Sequence, residues 1–210
     1  MFGVRSGKPY GILIDWDLAI DMKSRDSVSS RHRTGTGPFM AVDHLGPKMG
    51  SPYFYRHDLE SLFYILLWSA CAFLLNGTEV KKQHQIVEHW SVATWGDVKD
   101  KKIAFFAKTK DEFEVLSEAV TAPFRPILDS WLRPLAELVA WAHAKANERA
   151  PHKRRSSKRA PLVDLETLGG NMTYKVFFET LNVDLDTASH SSDHDLFDRL
   201  YFLESHSLCS

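Results

Sequence analysis

Asp15 closes a short apolar run, Ile12-Leu13-Ile14. Such a continuous stretch suits a buried strand that delivers a carboxylate at its end. Further on, Arg33-Thr34-Gly35-Thr36-Gly37-Pro38-Phe39-Met40-Ala41-Val42-Asp43 reads as a tight, glycine-bearing loop running into a short helix. Two other groupings invite chemistry and fail on detail. Gly3-Val4-Arg5-Ser6-Gly7-Lys8 is one residue short of a phosphate-binding loop, and Pro9 stands where the magnesium-binding hydroxyl belongs. His190 and His194 would share a helix face at a metal-binding spacing, with Asp193 and Asp195 beside them. Their Ser-rich surroundings and the missing zinc-motif glutamate favour a plain polar tail.

The elements that must position these residues follow from pattern. Residues 20–38 carry almost no apolar side chains and predict a solvated loop. Ala41 to Leu45 predicts one helical turn before Gly46-Pro47. From Ser61 to Leu75 no residue is charged. This predicts a long helix starting near Asp58, ended by Asn76-Gly77, hydrophobic all round and therefore buried. It falls short of the about 17–25 apolar residues that a membrane span needs. Asp58 and Glu60 sit in or beside its first turn, where negative charge complements the helix dipole.

Downstream, Ile86, Val87 and Trp90 recur at helical spacing, and a polar stretch with Trp95-Gly96 follows. Asp100 to Phe106 predicts a half-buried helix, and Phe113, Leu116 and Val120 predict another. Pro134 opens a further helix in its first turn, and Thr173 caps a last one carrying Val176, Phe177, Phe178 and Leu181. Trp68, Trp90, Trp131 and Trp141 are read as core.

Three motifs in this order resemble the fungal-type protein kinase family: Asp15-Trp16-Asp17-Leu18-Ala19, Thr34-Gly35-Thr36-Gly37-Pro38-Phe39-Met40-Ala41, and Asp58-Leu59-Glu60-Ser61-Leu62-Phe63-Tyr64 running on to Trp68. The pairing of Trp90 with Lys102-Ile103-Ala104-Phe105 fits the same family, and the resemblance covers roughly residues 10–145. It implies a mainly α fold: the C-terminal (large) lobe of a protein kinase, with a short strand pair near the N-terminus and no N-terminal lobe. It implies ATP-dependent Ser/Thr phosphotransfer with Mg²⁺ and ATP, and a protein substrate or protein partner.

The resemblance also assigns roles. Asp15 falls on the magnesium- and cofactor-binding D-F-G position, with Asp17 in place of glycine. Thr36 falls on the threonine beside the catalytic base, a role its register favours over that of a loop hydroxyl satisfying a turn. Asp43 fills the glutamate position of A-P-E, with Arg125 or Arg133 as candidate partners, and Asp58 the aspartate that braces the catalytic loop. Tyr55-Arg56-His57-Asp58-Leu59 superficially echoes H-R-D-L, but the Arg and His are reversed and Phe63 stands where Asn belongs. The glycine-rich loop, ATP lysine and catalytic Asp/Asn belong before Asp15, where little sequence remains. The expectation is a truncated lobe, inactive as an isolated chain, or a pseudokinase-like module that binds proteins.

Composition sets outer bounds. A formal net charge of −1 excludes a whole-chain field for nucleic acid or membrane. The two cysteines, Cys71 and Cys209, give no disulfide framework, and with no apolar signal core at the amino terminus this suits an intracellular, cytoplasmic or nuclear protein. The organisation reads as a kinase-like lobe over 1–148, a basic linker over 149–161, a terminal helical segment over 162–182 and a polar tail over 183–210. The basic cluster 152–159 suits either a solvated linker or an import signal. Ser27, Ser29, Ser30 and Thr34 are candidate phosphosites among Arg25, Arg31 and Arg33, although a solvated loop is the plainer reading.

Overall fold

The computed structural model describes residues 2–5, 8–11, 35–46, 52–107, 114–149 and 164–183. The chain divides into two units, Met1–Arg31 with Asp184–Ser210, and His32–Val183. In the first, β1 (Phe2–Arg5) and β2 (Lys8–Gly11) pair antiparallel, with Phe2 opposite Gly11 and Arg5 opposite Lys8. Lys8 therefore opens a strand. A phosphate loop would need it to enter a helix, so the lookalike is excluded by geometry. The strand expected at Ile12–Ile14 lies outside the described residues.

The second unit is helical among its described residues. It comprises α1 (Tyr55–Ala72), α2 (Gln85–Val92), α3 (Trp95–Phe106), α4 (Glu114–Ala119), α5 (Arg133–Arg149) and α6 (Tyr174–Thr180). Two 3-10 turns, Gly37–Phe39 and Val42–Leu45, precede α1. The predicted mainly helical character holds, and so does the turn before Gly46.

α1 begins where Phe54 adopts an extended backbone and hands its amide to Nδ1 of His57 at 3.1 Å. No Gly or Pro interrupts its 18 residues. Phe63, Tyr64, Leu67 and Ala70 are wholly buried, and burying a side chain of Leu or Phe size is worth about 1.5–3 kcal/mol. They pack into one core with Val87 and Trp90 of α2, Val98 and Phe105 of α3, Leu116 of α4, Leu135 and Val139 of α5, and Phe177 of α6.

Four expectations need correction. α1 is not buried all round: Leu62 and Ile65 are exposed along one side. Nor does it run to Asn76-Gly77. Phe73 turns extended and bridges Glu79, and Asn76-Gly77 lies in the intervening turn, where Gly77 takes φ +77°. Trp95-Gly96 opens α3 instead of lying between elements, because Thr94 caps it by accepting from Asp97 N at 3.3 Å. Trp141 is 49% exposed on α5, so it is not core.

Pro134 is the second residue of α5, as expected, but helical backbone also runs into it. A π turn over Leu128–Leu132 closes with Arg133 N donating to Leu128 O. The widened turn makes room for a ring that can supply no N–H. Thr173 caps α6 by accepting from Val176 N at 3.2 Å, and Tyr174 stacks on Tyr55 of α1 at 4.8 Å.

Candidate functional site

The segment Gly35–Leu45 lies against the head of α1 and the flank of α3. Gly35 takes φ +140°, and a Cβ there would come within 3.2 Å of Met40 Cγ. The backbone angle favours glycine, and any side chain there would also have to push Met40 aside. Thr36 precedes the first 3-10 turn, exposed, and its carbonyl accepts from Phe39 N at 2.8 Å. Its side chain makes no capping bond. Phe39 meets the edge of Trp68 at 5.5 Å.

Two buried charges of opposite sign take hold of this segment's backbone. Glu60, 2% exposed, accepts from Val42 N at 2.9 Å. Lys102, fully buried, donates from Nζ to Met40 O at 2.6 Å. Tyr64 joins them: its hydroxyl donates to Glu60 at 2.6 Å, while its ring face lies 3.4 Å from the Lys102 ammonium. Trp90 stands 5.3 Å from the same ammonium. The pairing of Trp90 with Lys102 and Phe105 is thus a physical contact, since Phe105 also meets Trp90 edge-on at 6.2 Å.

His143 of α5 completes the anion's shell, with Nε2 at 3.1 Å from the second Glu60 oxygen. Burial alone would raise the Glu60 carboxyl, but His143, Tyr64 and Val42 outweigh it and bring it down to about 2. Burial lowers His143 and Glu60 more than restores it, so its value is raised. Burial pushes Lys102 down to about 7, with Glu60 pulling the other way.

Asp43 anchors the far end of the segment. Its Oδ2 receives Arg56 Nη2 at 2.5 Å, and Arg56 Nε donates onward to Leu165 O at 2.6 Å. The candidate partners Arg125 and Arg133 are therefore replaced: Arg125 is exposed, and Arg133 pairs with Asp129 one turn earlier at 3.0 Å. Arg56 wins because it sits in the first turn of α1, against which the segment lies. His57 and Arg56 hold the Asp43 carboxyl well below the usual carboxylate range, against burial.

His57 Nδ1 lies within bonding distance of both Phe54 N and His44 Nε2, the latter at 2.8 Å. That assigns its proton to Nε2, which is 3.6 Å from Asp43 Oδ2, too long for a hydrogen bond. His57 Nε2 and Arg56 Nη1 are buried without a bond. Burial and the nearby His57 push His44 down to about 4.

Asp58 stands exposed in the first turn of α1, where partial shelter raises its carboxyl. Asp15, Asp17, Ser27, Ser29, Ser30, Thr34, the basic cluster 152–159 and the histidine tail lie outside the described residues. Among the described residues no three of His, Cys, Asp and Glu gather as metal ligands, and no helix is long and apolar enough to cross a membrane. Of the predicted site residues, the structure places Thr36 and Asp43 on one docked segment and Asp58 on the helix beneath it. Sequence reasoning missed Glu60, Lys102, Arg56 and His143 as a network. The available signal was charge beside apolar runs, since a buried charge demands a partner.

The model of the fungal protein kinase family matches residues 4–70. No curated protein matches the chain, and no solved structure does. The fungal-kinase match takes in Asp15, Thr36, Asp43 and Glu60 and ends inside α1. Lys102 and His143, which complete the network around Glu60, lie beyond it.

Proposed function

We propose that the chain carries the large-lobe portion of a fungal-type Ser/Thr protein kinase, with Gly35–Leu45 as the end of its activation segment. The observation that carries this reading is the docking of that segment. Asp43, at the A-P-E carboxylate position, is salt-bridged to the helix that begins at Tyr55, and this happens within the span that matches the family. Thr36 is left exposed, available to an acceptor peptide.

ATP-dependent phosphotransfer is the activity the family implies. Asp15 is the residue that would hold Mg²⁺, and the metal would neutralise phosphate charge during transfer. The glycine-rich loop, ATP lysine and catalytic Asp/Asn would have to come from residues outside these 210. As an isolated chain it is therefore proposed to be inactive. The test is turnover of a generic Ser/Thr peptide with Mg-ATP. Turnover that disappears in Asp15→Ala overturns the proposed inactivity.

A second reading is a non-catalytic, pseudokinase-like module that binds proteins. It is favoured by the exposed Leu62 and Ile65 of α1 and Leu74 and Leu75 just beyond it. Measured Mg-ATP affinity separates the two: binding supports a residual enzyme site, and its absence supports the binding module.

A further inference from the structure

Met40 and Val42 are two positions apart, and their backbone groups are held by opposite charges from different helices. Lys102 of α3 takes the carbonyl of Met40, and Glu60 of α1 takes the amide of Val42. Ala41, between them, is 1% exposed. The segment's other backbone bonds are short-range: Phe39 N to Thr36 O, Met40 N to Gly37 O, and His44 N to Ala41 O. The first two lie within Thr36–Val42 and would survive if it lifted away, whereas the third joins it to His44. Its downstream end has a separate fastening, Asp43 on Arg56.

We propose that Lys102 is a positioning residue, a latch on α3 that holds the Thr36–Val42 half of the segment against the lobe and so fixes where Thr36 stands. The latch has two states. When closed, the ammonium lies over the Tyr64 ring and donates to Met40 O. When open, Thr36–Val42 leaves as a unit while Asp43 stays on Arg56. Relevance to acceptor binding rests on the reading of this segment given above; the latch itself does not.

Amide exchange on the full chain tests it. Lys102→Met keeps the apolar stem and removes both donor and charge. The amide of Val42, whose acceptor Glu60 belongs to the lobe, is expected to exchange faster, on the order of tenfold to a hundredfold for a lost charged hydrogen bond, while those of Phe39 and Met40, bonded within the segment, should change little. The α5 interior amide of Val139 should keep its wild-type rate. Lys102→Arg, which retains donor and charge, should restore most of the protection. Equal acceleration at Val139 would reduce Lys102 to a general structural residue, and an unchanged Val42 would leave no latch.

Should Lys102→Met not fold, native-state exchange of the wild type in low urea decides. Val42 should exchange through an opening that appears at lower urea than that of Val139. Opening only with global unfolding overturns the proposal. No nucleotide or peptide enters either experiment, so failure here leaves the kinase reading standing, and a failed Mg-ATP titration leaves the latch standing.

Discussion

The Arg56 guanidinium lies 2.5 Å from the Asp43 carboxylate, tying the end of the docked segment to the first turn of α1. The same side chain donates to Leu165 O, so one residue fastens two segments far apart in the sequence. Arg56 is 2% exposed, whereas the Asp43 side chain keeps 40% of its surface. The cost of losing either partner should therefore be unequal.

Arg56→Met is expected to lower unfolding free energy by about 2–3 kcal/mol, chiefly through the bond to Leu165 O, because solvent screens the Asp43 half. Asp43→Asn should cost less, and Arg133→Met should stay within about 0.5 kcal/mol, since it removes only a surface pair. Urea melts of the three variants check the order. Arg133→Met as the costliest of them would contradict it.

Stability should fall on the acid side in two stages. His44 sits at about 4 when folded against an ordinary 6.5, so the unfolded chain takes its proton first and stability drops from about pH 6.5 toward 4. Glu60 sits at about 2 against 4.5, so its contribution is complete above about pH 4.5 and is lost as pH falls through 2. His44→Gln should delay the onset of the loss to about pH 4.5. Thermal melts across pH 3–8 read the shift in onset directly.

On the alkaline side two groups oppose each other. His143 is raised, so its contribution is full below about pH 6.5 and is lost as pH rises through the folded value. Lys102, lowered from 10.5 to about 7, adds stability as pH climbs between those values. His143→Gln removes the falling part alone. Its melting temperature should then rise with pH above 7 relative to wild type, and a parallel profile would exclude His143 from the linkage.

Much of the helical frame was legible because apolar spacing and caps are local. Thr173 before Tyr174-Lys175-Val176 announced α6, and Ile86, Val87 and Trp90 announced α2. The end of α1 was misread because Leu74 and Leu75 continue the apolar run, although Phe73 has already turned extended. No local pattern distinguishes a buried leucine from one left in water. The partner of Asp43 was misassigned for the same reason, since pairing depends on where the segment folds back. Glu60 with His143 spans 83 positions, beyond any spacing rule.

Leu67→Ala should cost about 2–5 kcal/mol, because Leu67 is wholly buried and its removal leaves a cavity. Ile65→Ala, two positions earlier on the exposed side, should change stability by no more than about 0.5 kcal/mol. Similar losses for both would mean that α1 is covered on every side after all. Chemical denaturation of the two variants settles the comparison.

Cys71 is buried and its thiol is pushed up to about 12 by that burial. In a Cys209→Ser background, a thiol reagent at pH 8 should react only at the rate of unfolding. Rapid native-state labelling would place Cys71 at the surface.

The bond between Glu60 and His143 also bears on synthesis. A ribosome making this protein releases the acid long before its basic counterpart, and at about 5–20 residues per second the 83-residue lag lasts on the order of 4–17 s. Throughout that interval α1 can form but cannot bury Glu60 beside its imidazole. The nascent chain must either keep that carboxylate in water or shelter it with a chaperone until α5 arrives.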